Sequence, residues 1–174
     1  MFACSTYPMN PEMLDNIRHE AIDNVIRLRN HPCLAIWCGN NENHTAWFNW
    51  GWMRKYKKMG VYDQMWKDHN DLFQHLLSEV VQEYDATTFY WPSSPYGGNP
   101  EARCESGKED WNPDGDAHYW NVWQGRDPIT QFNKIKARFF SEYGFQSFPE
   151  YQSVLKYPAT VPGVVQTDLM DNQI

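Results

Sequence analysis

The run His31-Pro32-Cys33-Leu34-Ala35-Ile36-Trp37-Cys38-Gly39-Asn40-Asn41-Glu42-Asn43 limits what this chain can fold into more than any other. Its apolar residues, Cys33 to Trp37, lie unbroken between the breakers Pro32 and Gly39. A short apolar run bounded in this way predicts a strand buried on both faces, as in a parallel sheet. The strand ends in small polar groups and one carboxylate, Glu42. Carboxyl ends of strands are where α/β barrels carry their chemistry. A glutamate on a solvated loop is the other reading of this stretch alone.

A second stretch repeats the plan: Arg138-Phe139-Phe140-Ser141-Glu142-Tyr143-Gly144-Phe145-Gln146-Ser147. Two carboxylates at the ends of two strands can face each other across a pocket. Glycoside hydrolysis needs that pair, one group to protonate the leaving oxygen and one to attack or to activate water.

Taken together, residues 37–43 and 141–147 resemble the β-mannosidases of glycoside hydrolase family 2. Gly115-Asp116-Ala117-His118-Tyr119-Trp120-Asn121-Val122-Trp123 and Tyr90-Trp91-Pro92-Ser93-Ser94-Pro95 are similar to the same enzymes. The resemblance implies an α/β fold, a partial (β/α)8 TIM barrel holding about strands 3 to 7 of the catalytic domain. A whole barrel typically needs roughly 250 residues, and the chain has 174. Residues 1–174 then form an incomplete catalytic domain, with Met1 an internal methionine. The family's β-sandwich domains and remaining barrel strands are its implied partners.

By the same resemblance Glu42 is the acid/base and Glu142 the nucleophile of a retaining exo-glycosidase acting on terminal β-mannose. Asn41 is the candidate for the sugar 2-hydroxyl, axial in a mannoside, and Trp50 for an aromatic substrate contact. His118 either touches substrate or satisfies a buried backbone group. Tyr119 either orients Glu142 through its hydroxyl or packs the rim. Sister activities on β-galactosides, β-glucuronides and β-glucosaminides share the two glutamates. A barrel fragment without catalysis, binding sugar weakly, is the reading from another class.

The chain carries 15 basic and 22 acidic residues, a net charge of −7. Without a basic cluster it does not suit nucleic acid, and no apolar run reaches the ~20 residues of a membrane helix. Hydrolysis by two carboxylates calls for no cofactor. Asp116 and His118 share a face of an extended strand, but two ligands do not make a metal site. Cys33 and Cys38 point to opposite faces of one predicted strand, so both read as buried free thiols.

Asn10-Pro11-Glu12 predicts a helix start, and Leu14, Ile17, Ala21, Val25 and Leu28 carry an apolar stripe to about Arg29. Residues 43–63 read as a Trp-rich loop in which Trp47, Trp50 and Trp52 either wall the pocket or pack the rim. A second helix is expected over 68–84, with His69 and His75 solvated off its stripe. Strands are expected at 87–91 and 118–123, a long catalytic-face loop at 92–117, and short helices over 125–135 and 149–155.

Overall fold

The computed structural model describes residues 1–97, 115–135, 137–144 and 150. Helix α1, Pro11–Leu28, starts where expected: the Asn10 side chain accepts from the Met13 amide at 2.8 Å, and Pro11 fills the first turn. Its buried Ile17 and Val25 face a long helical run comprising α4 (Tyr62–Asn70), a π-helical turn (Asp71–Leu76) and α5 (Leu77–Tyr84). Ile17 meets Leu72, Phe73 and Leu77, while Val25 meets Val80 and Val81.

That run starts at Tyr62, earlier than its apolar stripe suggested. Leu72, Leu76, Val80 and Tyr84 repeat every four residues, and such a row drifts about 40° per step on an α-helix. The wider π-turn counters this drift and keeps the row on α1.

Residues 43–63 are helical rather than a loop. They form α2 (Asn43–Phe48) and α3 (Trp52–Met59), joined through Gly51 at φ 88°. Trp47 on α2 is buried among Tyr56, Tyr62 and Trp66. It packs helices together, the second of the two readings. His69, expected in solvent, stacks on Trp66 with ring centroids 5.3 Å apart and on Trp47 at 6.1 Å. Burial, with a smaller push from His44, lowers its pKa to about 4. His75 is exposed, as expected.

The strands are shorter than the sequence suggested. β1 is Trp37–Cys38 and β2 is Tyr90–Trp91, paired in parallel. Residues 31–34 form a turn instead, closed by Leu34 N–H to the His31 carbonyl, so Cys33 is an exposed thiol. Cys38 is half-buried, and desolvation pushes its thiol to about 11. β3 is Asp116–His118, paired in parallel with β4, Phe139–Glu142. The expected strand at 118–123 is therefore displaced: beyond His118 the chain turns, with Gln124 N–H on the Trp120 carbonyl. A 3-10 helix covers Ile129–Asn133.

Parallel bridges Phe2 to Asn40 and Asn41 to Ser94 continue the order. Each segment lies beside the next one in the chain, as in an α/β fold. Among the described residues the strands do not close into one sheet. The expected helix at 149–155, apart from Glu150, and 98–114 of the long loop lie outside the described residues.

Because His69 is held neutral by burial, its folded pKa lies below the unfolded value near 6.5. The unfolded chain then binds more protons between about pH 6.5 and 4, and stability falls as pH falls through that window. Urea midpoints at pH 7 and pH 4.5 should differ less in His69→Phe than in the parent. The slope that is lost should approach 1.4 kcal/mol per pH unit.

Candidate active site

Four polar groups stand at the carboxyl ends of successive strands. Glu42 follows β1, Ser94 follows β2, His118 ends β3 and Glu142 ends β4. Glu42 sits in the left-handed region, φ 55°, directly before α2. Strain of this kind in a non-glycine residue costs on the order of 1–3 kcal/mol and gathers at functional sites. Its amide donates to the Ser94 carbonyl at 2.8 Å, and its own carbonyl accepts the first α2 bond, from Ala46.

A bulge sets the other side. His118 pairs with Glu142 whereas Ala117 pairs with Phe140, so Ser141 is an extra residue in β4. In a regular strand neighbours point to opposite faces. The extra residue lets Ser141 Oγ reach Asp116 Oδ2 at 2.7 Å while Glu142 turns toward His118.

His118 lies between the two glutamates and is 3% exposed. Its Nδ1 is 2.9 Å from Glu42 Oε1 and 3.4 Å from Glu142 Oε2. One oxygen of each glutamate and this nitrogen all lie within 4.8 Å of one another. A cation would need such a donor set, and a proton shared among the three meets the same electrostatic need. The Trp120 indole N–H donates to Glu142 Oε2 at 3.1 Å. Glu142 Oε1 therefore has no hydrogen-bond partner among the described residues. Behind the imidazole, Ser94 Oγ touches His118 Nε2 at 2.9 Å and donates to Asp116 Oδ2. Asp116 Oδ1 accepts the Tyr96 amide at 2.7 Å.

Glu42, Glu142, Asn41 and His118 come together as the sequence suggested. Asn41 Nδ2 is 3.4 Å from Glu42 Oε2, and its buried Oδ1 has no partner among the described residues. Of the two readings of Tyr119 the structure favours packing: the ring is buried against Phe132, and its hydroxyl donates to Asp127 Oδ2 at 2.6 Å. What it gives Glu142 is a backbone N–H, to the carbonyl oxygen at 2.9 Å. Trp50 is 55% exposed in the turn after α2. Sequence reasoning assigned no role to Ser94, Ser141 or Trp120, although all three lie inside the quoted motifs.

No family model matches the chain. Curated proteins named Beta-mannosidase B do match. The one from Aspergillus fumigatus (strain CBS 144.89) is 39% identical over 158 residues, covering 88% of this chain and 18% of that protein. The one from Aspergillus terreus is 37% identical over 90% of this chain and 18% of its own length. A crystal structure of Beta-D-Mannosidase from Dictyoglomus thermophilum superposes with a TM-score of 0.60 at 35% identity. It covers 90% of this chain and 17% of that one. The chain is thus a relative of the β-mannosidases, in sequence and in fold. It spans about a fifth of the length of the relatives it matches.

Gly39 lets this site assemble. A Cβ there would lie 2.4 Å from the Pro92 carbonyl oxygen and 2.5 Å from the Tyr90 hydroxyl. Gly39→Ala must push β1 from β2, and overpacking of this kind costs roughly 1–3 kcal/mol. Chemical denaturation should show that loss.

Proposed function

We propose that this chain is the catalytic segment of a retaining exo-β-mannosidase of glycoside hydrolase family 2. On this reading residues 1–174 supply about strands 3 to 7 of a (β/α)8 barrel, and the rest of the protein supplies the other strands and domains. The observation that carries it is the approach of the Glu42 and Glu142 carboxylates to within 4.8 Å. Retaining glycosidases hold their carboxyls about 5–5.5 Å apart, whereas inverting ones leave roughly 6.5–9.5 Å for a water. The names of the relatives point to β-mannosides as substrates, and the family reading makes the sugar removed a terminal one.

Glu142 is the nucleophile. Trp120 pins Oε2 and leaves Oε1 to bond the anomeric carbon as the sugar oxygen departs. Glu42 is the acid/base: it gives that oxygen a proton, then takes one from the water that hydrolyses the ester. Asn41 hydrogen-bonds the sugar 2-hydroxyl, a contact that strengthens in the transition state and uses its free Oδ1. His118 lies at the floor of the sugar site, and Trp50 stacks at its mouth. Tyr119, turned toward Asp127, contributes position rather than a direct polar contact.

Two replacements in the protein carrying this segment separate the roles. Glu142→Ala should abolish turnover of all β-mannosides, and azide should restore some of it with inverted product. Glu42→Ala should slow natural mannosides by about 10²–10⁴-fold. It should spare formation of the intermediate from an activated aryl mannoside, and azide should then yield retained product. Exchange of these signatures would reverse the two roles.

A further inference from the structure

The Asp116–Ser94–His118 chain ends on the carboxylate read here as the acid/base, and its hydrogens can be counted. Asp116 Oδ2 takes both the Ser94 and the Ser141 hydroxyl hydrogens, and a carboxylate accepts both. Ser94 has one hydrogen, and the contact to the Asp116 carboxylate at 2.5 Å takes it ahead of Ser141 Oγ at 3.3 Å, so toward His118 Nε2, 2.9 Å away, the serine oxygen accepts. This count of hydrogens puts the imidazole hydrogen on Nε2. Neutral, it presents a bare lone pair at Nδ1 to Glu42 Oε1, 2.9 Å away.

We infer that Asp116 and Ser94 are positioning residues that lock His118 in the Nε2–H tautomer, so that Glu42 and Nδ1 must share one proton. That proton is the one the reaction spends, an inference that rests on the reading of Glu42 as acid/base. When the glycosidic bond breaks, the proton leaves on the departing oxygen and the charge of Glu142 disappears into the new ester bond. Glu42 is left as a carboxylate facing a lone pair that cannot turn into a donor. The repulsion makes it a stronger base toward water. Water then returns one proton to the pair, its hydroxyl goes to the sugar, and the ester bond breaks to restore Glu142.

Other titratable groups beside the chain do not supply the proton. Cys38 adjoins Ser94 and Asp116, and burial keeps its thiol protonated to about 11. Cys4, near Glu42, is pushed up from its ordinary value by burial, then by that carboxylate. Glu142 Oε2 already takes the Trp120 N–H.

The test reads the tautomer directly, by nitrogen chemical shifts of 15N-histidine-labelled chain at alkaline pH. His118 of the parent should show a protonated Nε2 and a bare Nδ1. Asp116→Asn leaves an amide that can donate to Ser94, frees the serine hydrogen for Nε2, and should interchange the two signals. Loss of an enforced interaction with a charged group is enough to move a titration by about one pH unit. In the enzyme, Ser94→Ala should therefore bring the alkaline limb of kcat/KM down by about that much, with KM little changed, and Ser94→Thr should restore it. An Nδ1–H tautomer in the parent, signals unmoved in Asp116→Asn, or a uniform loss of kcat with the limb unmoved would each overturn the lock. The Glu42 reading fails separately: Glu42→Gln would then slow formation of the intermediate from activated and natural mannosides alike, whatever the nitrogen shifts show.

Discussion

The site depends on one buried carboxamide. Asn40 is fully buried at the end of β1, and its Nδ2 donates to the Pro92 carbonyl at 2.8 Å. Its Oδ1 accepts the Ser93 hydroxyl at 2.7 Å and the Asn43 amide at 3.0 Å. One side chain thus joins the ends of two strands and caps α2. Buried polar groups are costly unless each donor and acceptor is met, and here they are met. Glu42 lies between Asn40 and Asn43, so its left-handed backbone is held at both ends. Asn43 extends the tie by two bonds to the Ser5 backbone.

Much of the site could be read from the sequence, because its chemistry is local. Each glutamate sits in a short motif after an apolar run, and strand ends are where an α/β fold exposes functional groups. Helix α1 was legible from cap, proline and stripe, all of which act within a few residues. The failures are those of distance. Trp47 reads like Trp50 in sequence, and only partners on α3 and α4 decide that one is core and the other exposed. His69 lay off a stripe that faces α1, but a second apolar surface, formed by α2 and its tryptophan, covers it.

The strands failed for a different reason. Residues 118–123 are rich in aromatic side chains, as strands often are. Strand length, however, is set by the partner's length, and β4 reaches only to Glu142. The bulge at Ser141 leaves no mark in the sequence, yet it decides that Ser141 serves Asp116 while Glu142 faces His118. Ser94, Asp116 and Ser141 lay inside motifs already noticed. Their joint role appears only when segments 22 to 47 residues apart meet.

The three carboxylates show how one small pocket gives like groups different work. Asp116 is buried and takes two hydroxyls and an amide, so its charge is fully solvated by protein. Glu142 takes one indole N–H on Oε2 and leaves Oε1 without a hydrogen-bond partner among the described residues. Glu42 faces an imidazole whose other nitrogen is already committed, so its partner is a proton rather than a fixed donor. The difference lies in hydrogen-bond direction, set by Ser94 on the far side of the imidazole from the two glutamates. The serine can hold that direction only because Asn40 and Gly39 fix the two strand ends against each other.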